Sequence, residues 1–105
     1  MAQFDVFANP SASSQERFPF LVDIQNDLLR GLSTRIVVPL AHPSVLGDKL
    51  LRGLTPEIRF NGQGLILMTP ELSSIHKRHL GDLKGSLVDY RAQIIAAMDF
   101  ALTGI

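Results

Sequence analysis

The most regular pattern along the chain is a helical repeat of apolar positions near its end. Ser86 and Asp89, three residues apart, supply oxygen acceptors for a shortened capping box, and Gly104 is a typical helix stop. Between them, apolar residues recur at steps of three or four, which places them on one face of a 3.6-residue helix. The sequence therefore predicts a C-terminal helix over residues 86–104. Its apolar face comprises Leu87, Tyr90, Ile94, Met98, Ala101 and Ile105.

The opposite edge of this helix is too apolar for a face turned wholly to water. It comprises Val88, Ala92, Ile95, Asp99 and Thr103. One interpretation is that the helix packs on a core and ends where it has crossed that core. The other is that its last turn, residues 99–105, is presented to a partner. The pattern alone leaves both open.

The rest of the chain alternates apolar and polar residues in short runs that are typical of half-buried strands. Such runs cover residues 3–7, 18–26, 35–40, 55–60 and 63–68. In the second run, Asp23 and Gln25 are expected on the polar face. Pro39 lacks an N–H group, so its strand is expected at a sheet edge or bulged there. Asn61-Gly62 predicts a tight hairpin turn.

These elements predict a mainly β fold within a single domain over residues 1–105. Five or six short strands with tight turns precede one helix, which indicates a small, strongly bent antiparallel sheet or open barrel with the helix on one side. The turn over residues 27–31 carries two apolar residues, Leu28 and Leu29. Residues 45–54 have the spacing of a one- to two-turn helix, weakened by Gly47.

Composition excludes several classes of function. The formal net charge is zero, so the chain lacks the strong phosphate attraction of nucleic-acid binders. It has no cysteine, hence no disulfide frame and no thiol nucleophile. No apolar run approaches the roughly 18 residues of a membrane span. These features predict a cytoplasmic protein that does not associate with membranes.

The best local candidate for chemistry is the basic cluster His76-Lys77-Arg78-His79. Two histidines three residues apart could share a helical face, but no carboxylate or cysteine joins them at ligand spacing. A solvated loop of mixed charge is the alternative. Asp23 and Asp27 are not expected to converge as an acid–base pair, and no nucleophile elbow or phosphate loop is present. The residues favour a binding protein over an enzyme, without cofactor or metal.

Four blocks together resemble the CcdB family of toxin–antitoxin toxins. They are FLVDIQNDLL at 20–29, RIVVPL at 35–40, LMTPELSSI at 67–75 and IIAAMDFALTGI at 94–105. Their order and spacing match the family over nearly the full length.

This resemblance implies an SH3-like barrel of about five to seven antiparallel strands with one C-terminal helix, shared with the Kid/MazF ribonucleases. It also implies a homodimer that binds the A subunit of DNA gyrase and traps gyrase on cleaved DNA. A CcdA-like antitoxin would neutralise the toxin and, together with it, repress their operon, so operator DNA is contacted only through the antitoxin complex. The gyrase-binding residues carried over by position are Leu28, Leu29, Asp99, Leu102, Thr103, Gly104 and Ile105.

Three positions depart from the best-known members. Thr103 stands where they have Trp, Asp99 where they have Asn, and His76 where they have Pro. The first two changes raise an alternative to the gyrase poison, namely a homologue that binds antitoxin but poisons gyrase weakly or not at all. A third hypothesis is a Kid/MazF-like endoribonuclease that uses His76 and His79.

Overall fold

A computed structural model describes residues 1–47 and 53–104 of the protein. This part of the chain contains seven short strands and one α-helix. Their bounds are β1 Asp5–Ala8, β2 Phe20–Asp23, β3 Thr34–Ala41, β4 Glu57–Phe60, β5 Gln63–Leu67, β6 Ser73–His76, β7 Leu83–Ser86 and α1 Arg91–Thr103. None of the helices in these two ranges is long and apolar enough to cross a bilayer.

The strands form one antiparallel sheet that curls on itself. Its order is β4-β5-β3-β2-β1-β7, and β6 pairs with the first half of β3. The two outer strands come close together, because a Cβ atom placed on Gly85 of β7 would lie 2.9 Å from the Phe60 ring of β4. A side chain at position 85 would require the Phe60 ring to move. The predicted mainly β fold, a small and strongly bent antiparallel barrel with a C-terminal helix, is confirmed as a half-barrel.

The prediction that Pro39 marks a sheet edge or a bulge is wrong, because β3 is a central strand. β2 pairs along one side of β3, while β6 and β5 share the other side. Pro39 lies between the end of the β6 pairing at Val37 and the start of the β5 pairing at Leu40. Its carbonyl oxygen accepts the Met68 N–H at 2.9 Å on that side. Since N and O of a strand residue point the same way, the missing donor faces this gap and costs no bond to β2.

The hairpin between β4 and β5 has the predicted turn. Asn61 and Gly62 have φ values of 52° and 77°, the left-handed conformation required at both central positions of a type I′ turn. Phe60 pairs with Gln63 directly beside it. The predicted hairpin is therefore confirmed.

The helix closes the apolar core on the concave side of the sheet. Leu87, Ile94 and Ala97 are buried, and the Tyr90 hydroxyl accepts the Arg59 N–H of β4 at 3.1 Å. The α-helix begins later than the sequence suggested, because residues 88–90 form a 3-10 turn. The strand residues of this core are Val6, Val22, Val38, Leu40, Ile58, Phe60, Leu65 and Leu67.

The expected polar face of β2 is buried as well, which corrects the sequence-based assignment. Asp23 is 0% exposed and Gln25 is 3% exposed. The Asp23 Oδ2 atom accepts a 2.7 Å hydrogen bond from Nε of Arg35, a residue that is 1% exposed, and Asp23 Oδ1 accepts the Gln25 N–H at 3.0 Å. The alternation of residues was predicted correctly, but the second face of the sheet is covered too.

Two strands were missed, and one predicted helix is only partly described. β6 and β7 were assigned to turns and to the approach to the helix, because Ser73–His76 and Leu83–Ser86 are short and polar. They are strands because they pair with β3 and β1. In the region predicted as a helix over 45–54, the structure has a 3-10 turn at Pro43–Val45, and residues 48–52 lie outside the described residues.

The buried ion pair generates a stability prediction. Asp23→Asn leaves the Arg35 charge buried without its counter-charge, so we expect the free energy of unfolding to fall by about 3–5 kcal/mol. Urea unfolding followed by circular dichroism measures the change. The matched substitution Asp82→Asn, at an exposed carboxylate, is expected to change stability by less than about 0.5 kcal/mol. Equal effects of the two substitutions would contradict a structural role for the pair.

Candidate functional site

A short 3-10 turn after β2 presents two leucines to solvent. It spans Asp27–Leu29 and is here named the leucine turn. Leu28 is 89% exposed and Leu29 is exposed as well. Single exposed leucines are common on protein surfaces, so exposure alone does not define a site. What distinguishes this turn is how firmly its backbone is held.

Side chains of the two preceding residues fix the turn from below. Asn26 Oδ1 accepts the Leu28 N–H at 2.8 Å, which caps the turn. The buried Gln25 side chain bridges two elements, because its Nε2 donates to the Leu29 carbonyl at 3.1 Å and its Oε1 accepts the Ile36 N–H of β3 at 3.1 Å. The leucine turn is thereby tied to the central strand of the sheet.

The segment before β1 braces the same turn from the other side. Asp27 Oδ1 accepts the Gln3 N–H at 2.9 Å, and Gln3 Nε2 donates to the Ile24 carbonyl at 3.1 Å. The next residue, Phe4, is buried with a φ of 73°, which is strained for a bulky residue. Its backbone is held by a hydrogen bond to the Asp23 carbonyl and one from the Leu87 N–H. Leu28 therefore projects from a backbone that is fixed on both sides.

The end of α1 presents a second apolar surface, here named the helix tip and comprising Asp99, Phe100, Leu102, Thr103 and Gly104. All five are exposed, and Leu102 is 76% exposed. Thr103 Oγ1 donates to the Asp99 carbonyl at 2.6 Å, so its hydroxyl is engaged within the helix. Gly104 ends the helix at a φ of 77°, with its N–H bonded to the Phe100 carbonyl.

For two residues near the end of α1, the sequence-based list and the described structure do not coincide. Ile105, which the sequence assigned to this surface, lies outside the described residues. Phe100 falls within the last turn, residues 99–105, that one interpretation presents to a partner, but it is absent from the residues carried over from the family. Its signal was a position outside the apolar repeat that indicated the core face, and in the structure Phe100 is 42% exposed. Phe100 also lines a cleft of about 450 Å³ with Ala101, Leu54 and Pro70.

The structure brings the predicted residues together in two groups. Leu28 and Leu29 share the leucine turn, while Asp99, Leu102, Thr103 and Gly104 share the helix tip. α1 packs on the strand core through Ile94 and Ala97, whereas the leucine turn is held by Gln25 and by the Gln3 N–H. Within one chain the two surfaces are therefore separate elements, each presenting exposed leucine.

The basic cluster lies on an exposed 3-10 turn, Lys77–His79, directly after β6. His76 Nδ1 accepts the Arg78 N–H at 3.2 Å, and the two histidine rings are 5.9 Å apart between centroids. Within residues 1–47 and 53–104, no three His, Asp or Glu side chains gather at metal-binding distance. Asp23 and Asp27 are engaged with Arg35 and Gln3 respectively, rather than with each other.

Comparison with protein families gives a match over almost the whole chain. The family model described as CcdB protein matches residues 3–104. The matched range contains both the leucine turn and the described part of the helix tip. The resemblance inferred from the four sequence blocks is therefore confirmed.

Proposed function

The chain belongs to the CcdB family of toxin–antitoxin toxins, and from this premise we propose that it binds the A subunit of DNA gyrase and traps gyrase on cleaved DNA. The contact surfaces are the leucine turn and the helix tip, together with Ile105. The observation that carries the proposal is the exposure of Leu28 and Leu102 on two backbone elements that are held by hydrogen bonds.

The energetics of such surfaces favour protein binding. Burying one exposed leucine side chain contributes about 1.5–3 kcal/mol. The leucine turn is fixed by Asn26, Gln25 and Asp27, and the helix tip by the helix itself, so little backbone entropy is lost when a partner binds. Both surfaces are therefore suited to a tight, preorganised contact.

The proposed mechanism is one of binding and requires no catalytic residue of this chain. A ligand shifts an equilibrium between two states only by the difference in its affinity for them. The toxin would bind the gyrase state that holds cleaved DNA more tightly than the state that has resealed it. Cleaved DNA then accumulates through population shift, and the chain acts as a poison of a topoisomerase rather than as an enzyme.

A homodimer would combine the surfaces that one chain keeps apart. In a two-fold dimer each surface occurs twice, and two helix tips beside the axis would match the symmetry of a gyrase target. We accordingly propose a homodimeric toxin that acts in the cytoplasm, where gyrase and DNA are found.

The proposed antagonist is a CcdA-like antitoxin that competes for the same surface and removes the toxin from gyrase. The two proteins together would repress their operon. The zero net charge of this chain supports an arrangement in which operator DNA is contacted only through the antitoxin complex, since DNA affinity depends on excess positive charge.

Thr103 favours a second candidate, a family member that binds antitoxin but poisons gyrase weakly. The family's Trp would provide a large aromatic contact, and such residues often dominate interface energy. Thr103 offers a methyl group and a hydroxyl oxygen that can accept, because its hydroxyl hydrogen is donated to the Asp99 carbonyl. The endoribonuclease alternative gains no such support, because the zero net charge of the chain disfavours an RNA substrate.

Removal of Gly104 and Ile105 tests the location of the activity. We expect the full chain, incubated with gyrase and supercoiled plasmid, to accumulate linear DNA, and the truncated chain to produce none. Gly104 is exposed and ends the helix, so thermal unfolding of the two proteins should nearly coincide. Absence of cleavage by saturating, folded full-length protein would contradict gyrase poisoning and favour the weak homologue.

The leucine turn is tested by the double substitution Leu28→Ser and Leu29→Ser. We expect binding to the gyrase A subunit to weaken at least about a hundredfold, because two apolar contacts are lost. Stability should change by less than about 0.5 kcal/mol, since both residues are exposed. Leu83→Ser is the matched control, because Leu83 is 60% exposed on β7. If the control weakens binding as much, the turn is not the contact.

Restoring the aromatic separates the two candidates. Thr103→Trp is expected to strengthen gyrase binding about tenfold, because it adds a large apolar contact at an exposed position. Surface plasmon resonance with immobilised gyrase A subunit measures the change. Binding that is unchanged by Thr103→Trp would show that this position does not face gyrase.

A further inference from the structure

A basic cleft lies where the leucine turn, β3 and the turn after β6 meet. Its volume is about 320 Å³, and it is lined by Met1, Arg30, Arg35 and Lys77. Arg30 immediately follows the leucine turn, and Lys77 immediately follows β6. Three cationic side chains thus converge on one cleft in a protein whose net charge is zero.

Arg35 is the buried residue that lines this cleft. It is 1% exposed, and its Nη2 atom is buried without a hydrogen-bond partner among the described residues. A buried donor that lacks an acceptor costs free energy, so such atoms are rare in folded proteins. Asp23 Oδ2 accepts a hydrogen bond from Nε of the same guanidinium at 2.7 Å, so the pair with Asp23 does not supply the acceptor that Nη2 lacks.

The charge around the cleft is not compensated by the described chain. Asp23 balances Arg35, whereas Arg30 and Lys77 form no ion pair within residues 1–47 and 53–104. Asp27 is not among the lining residues, and its carboxylate accepts the Gln3 N–H. Three cations against one carboxylate leave a local charge of about +2, which attracts anions.

The backbone holds the two exposed cations in place. The Lys77 N–H donates to the Ser33 carbonyl at 2.9 Å, and the Arg30 N–H donates to the Asp27 carbonyl at 3.2 Å. Arg35 is fixed by its strand pairing with Ile75. A guanidinium offers several N–H donors in a planar fork that matches the geometry of phosphate and carboxylate oxygens.

We propose that this basic cleft binds a small oxyanion of the phosphate class, which accepts hydrogen bonds from Arg35, Arg30 and Lys77. The unpartnered Nη2 donor and the uncompensated positive charge both favour an anionic ligand with acceptor oxygens. The cleft, near the lower end of ordinary ligand pockets in volume, has room for such an ion. The proposal is independent of gyrase binding, because its test measures the chain alone.

Thermal unfolding of the full chain in phosphate tests the proposal. At constant ionic strength, replacing sodium chloride by sodium phosphate is expected to raise the melting temperature along a saturating curve, as for any ligand that binds only the folded state. A ³¹P NMR titration gives the dissociation constant directly. A melting temperature that is the same in phosphate and in chloride would overturn the proposal.

Variants at the two exposed cations locate the site. Arg30→Gln and Lys77→Gln are each expected to raise the phosphate dissociation constant about tenfold, because each removes a charge-assisted hydrogen bond. Arg78→Gln is the matched control, since Arg78 is an exposed cation beside Lys77 that does not line the cleft, and it should change the constant less than about twofold. Equal weakening by all three substitutions would reduce the effect to general charge and overturn the site.

Acetate in place of phosphate distinguishes the source of the oxygens. Stabilisation by phosphate alone, with the same dependence on Arg30 and Lys77, supports a phosphate ligand. Stabilisation by acetate with that dependence also supports the site, and identifies it as one that accepts carboxylates. Stabilisation by either anion that is unchanged by both substitutions would contradict the proposed site.

Discussion

The buried contact between Asp23 and Arg35 is the interaction on which the rest of this surface depends. Taking two charges out of water costs several kcal/mol per ion, and good geometry with further hydrogen bonds is needed to compensate for it. Here one carboxylate oxygen accepts the Arg35 Nε–H and the other accepts the Gln25 N–H. The pair therefore joins β2 to β3 and also sets the direction in which the chain leaves β2.

That direction decides where the leucine turn lies. Gln25 follows Asp23 by two residues, and its side-chain amide connects the Leu29 carbonyl to the Ile36 N–H. The chain thus passes from a buried ion pair, through a buried amide, to an exposed apolar turn within a few residues. Breaking the first contact would loosen the second, because Asp23 holds the Gln25 backbone.

Much of the fold could be read from the sequence, because it depends on local patterns. The terminal helix, the Asn61-Gly62 hairpin and the alternation in β2 each have a periodicity or a turn requirement of their own. β6 and β7 have neither, since Ser73–His76 and Leu83–Ser86 become strands only through pairing with distant partners. The burial of Asp23 was unreadable for the same reason, because alternation separates two faces but does not show whether both are covered.

The sequence predicted which apolar residues are exposed but not the hydrogen bonds that hold their backbone. Two leucines in a turn and an apolar helix end indicated exposed apolar surface, and Leu28 and Leu102 are indeed exposed. The contacts that fix the turn run from Gln3 to Asp27 and from Ile36 to Gln25, across separations that no local pattern reports. The engagement of the Thr103 hydroxyl with the Asp99 carbonyl depends on a rotamer, which sequence does not determine either.

The two exposed surfaces are held in place by different interactions. Packing cannot position Leu28, because a side chain that is 89% exposed has almost no neighbours, so only directional hydrogen bonds beneath it can fix its backbone. This requirement is a physical reason for burying Asp23, Gln25 and Arg35. Apolar residues would fill the same space more simply, but they could not hold the turn by hydrogen bonds. The helix tip needs no such network. Ile94 and Ala97 anchor the helix in the core, and the hydrogen bonds within the helix extend this order to its last turn. Changes to the buried polar residues should therefore displace the leucine turn and leave the helix tip in place.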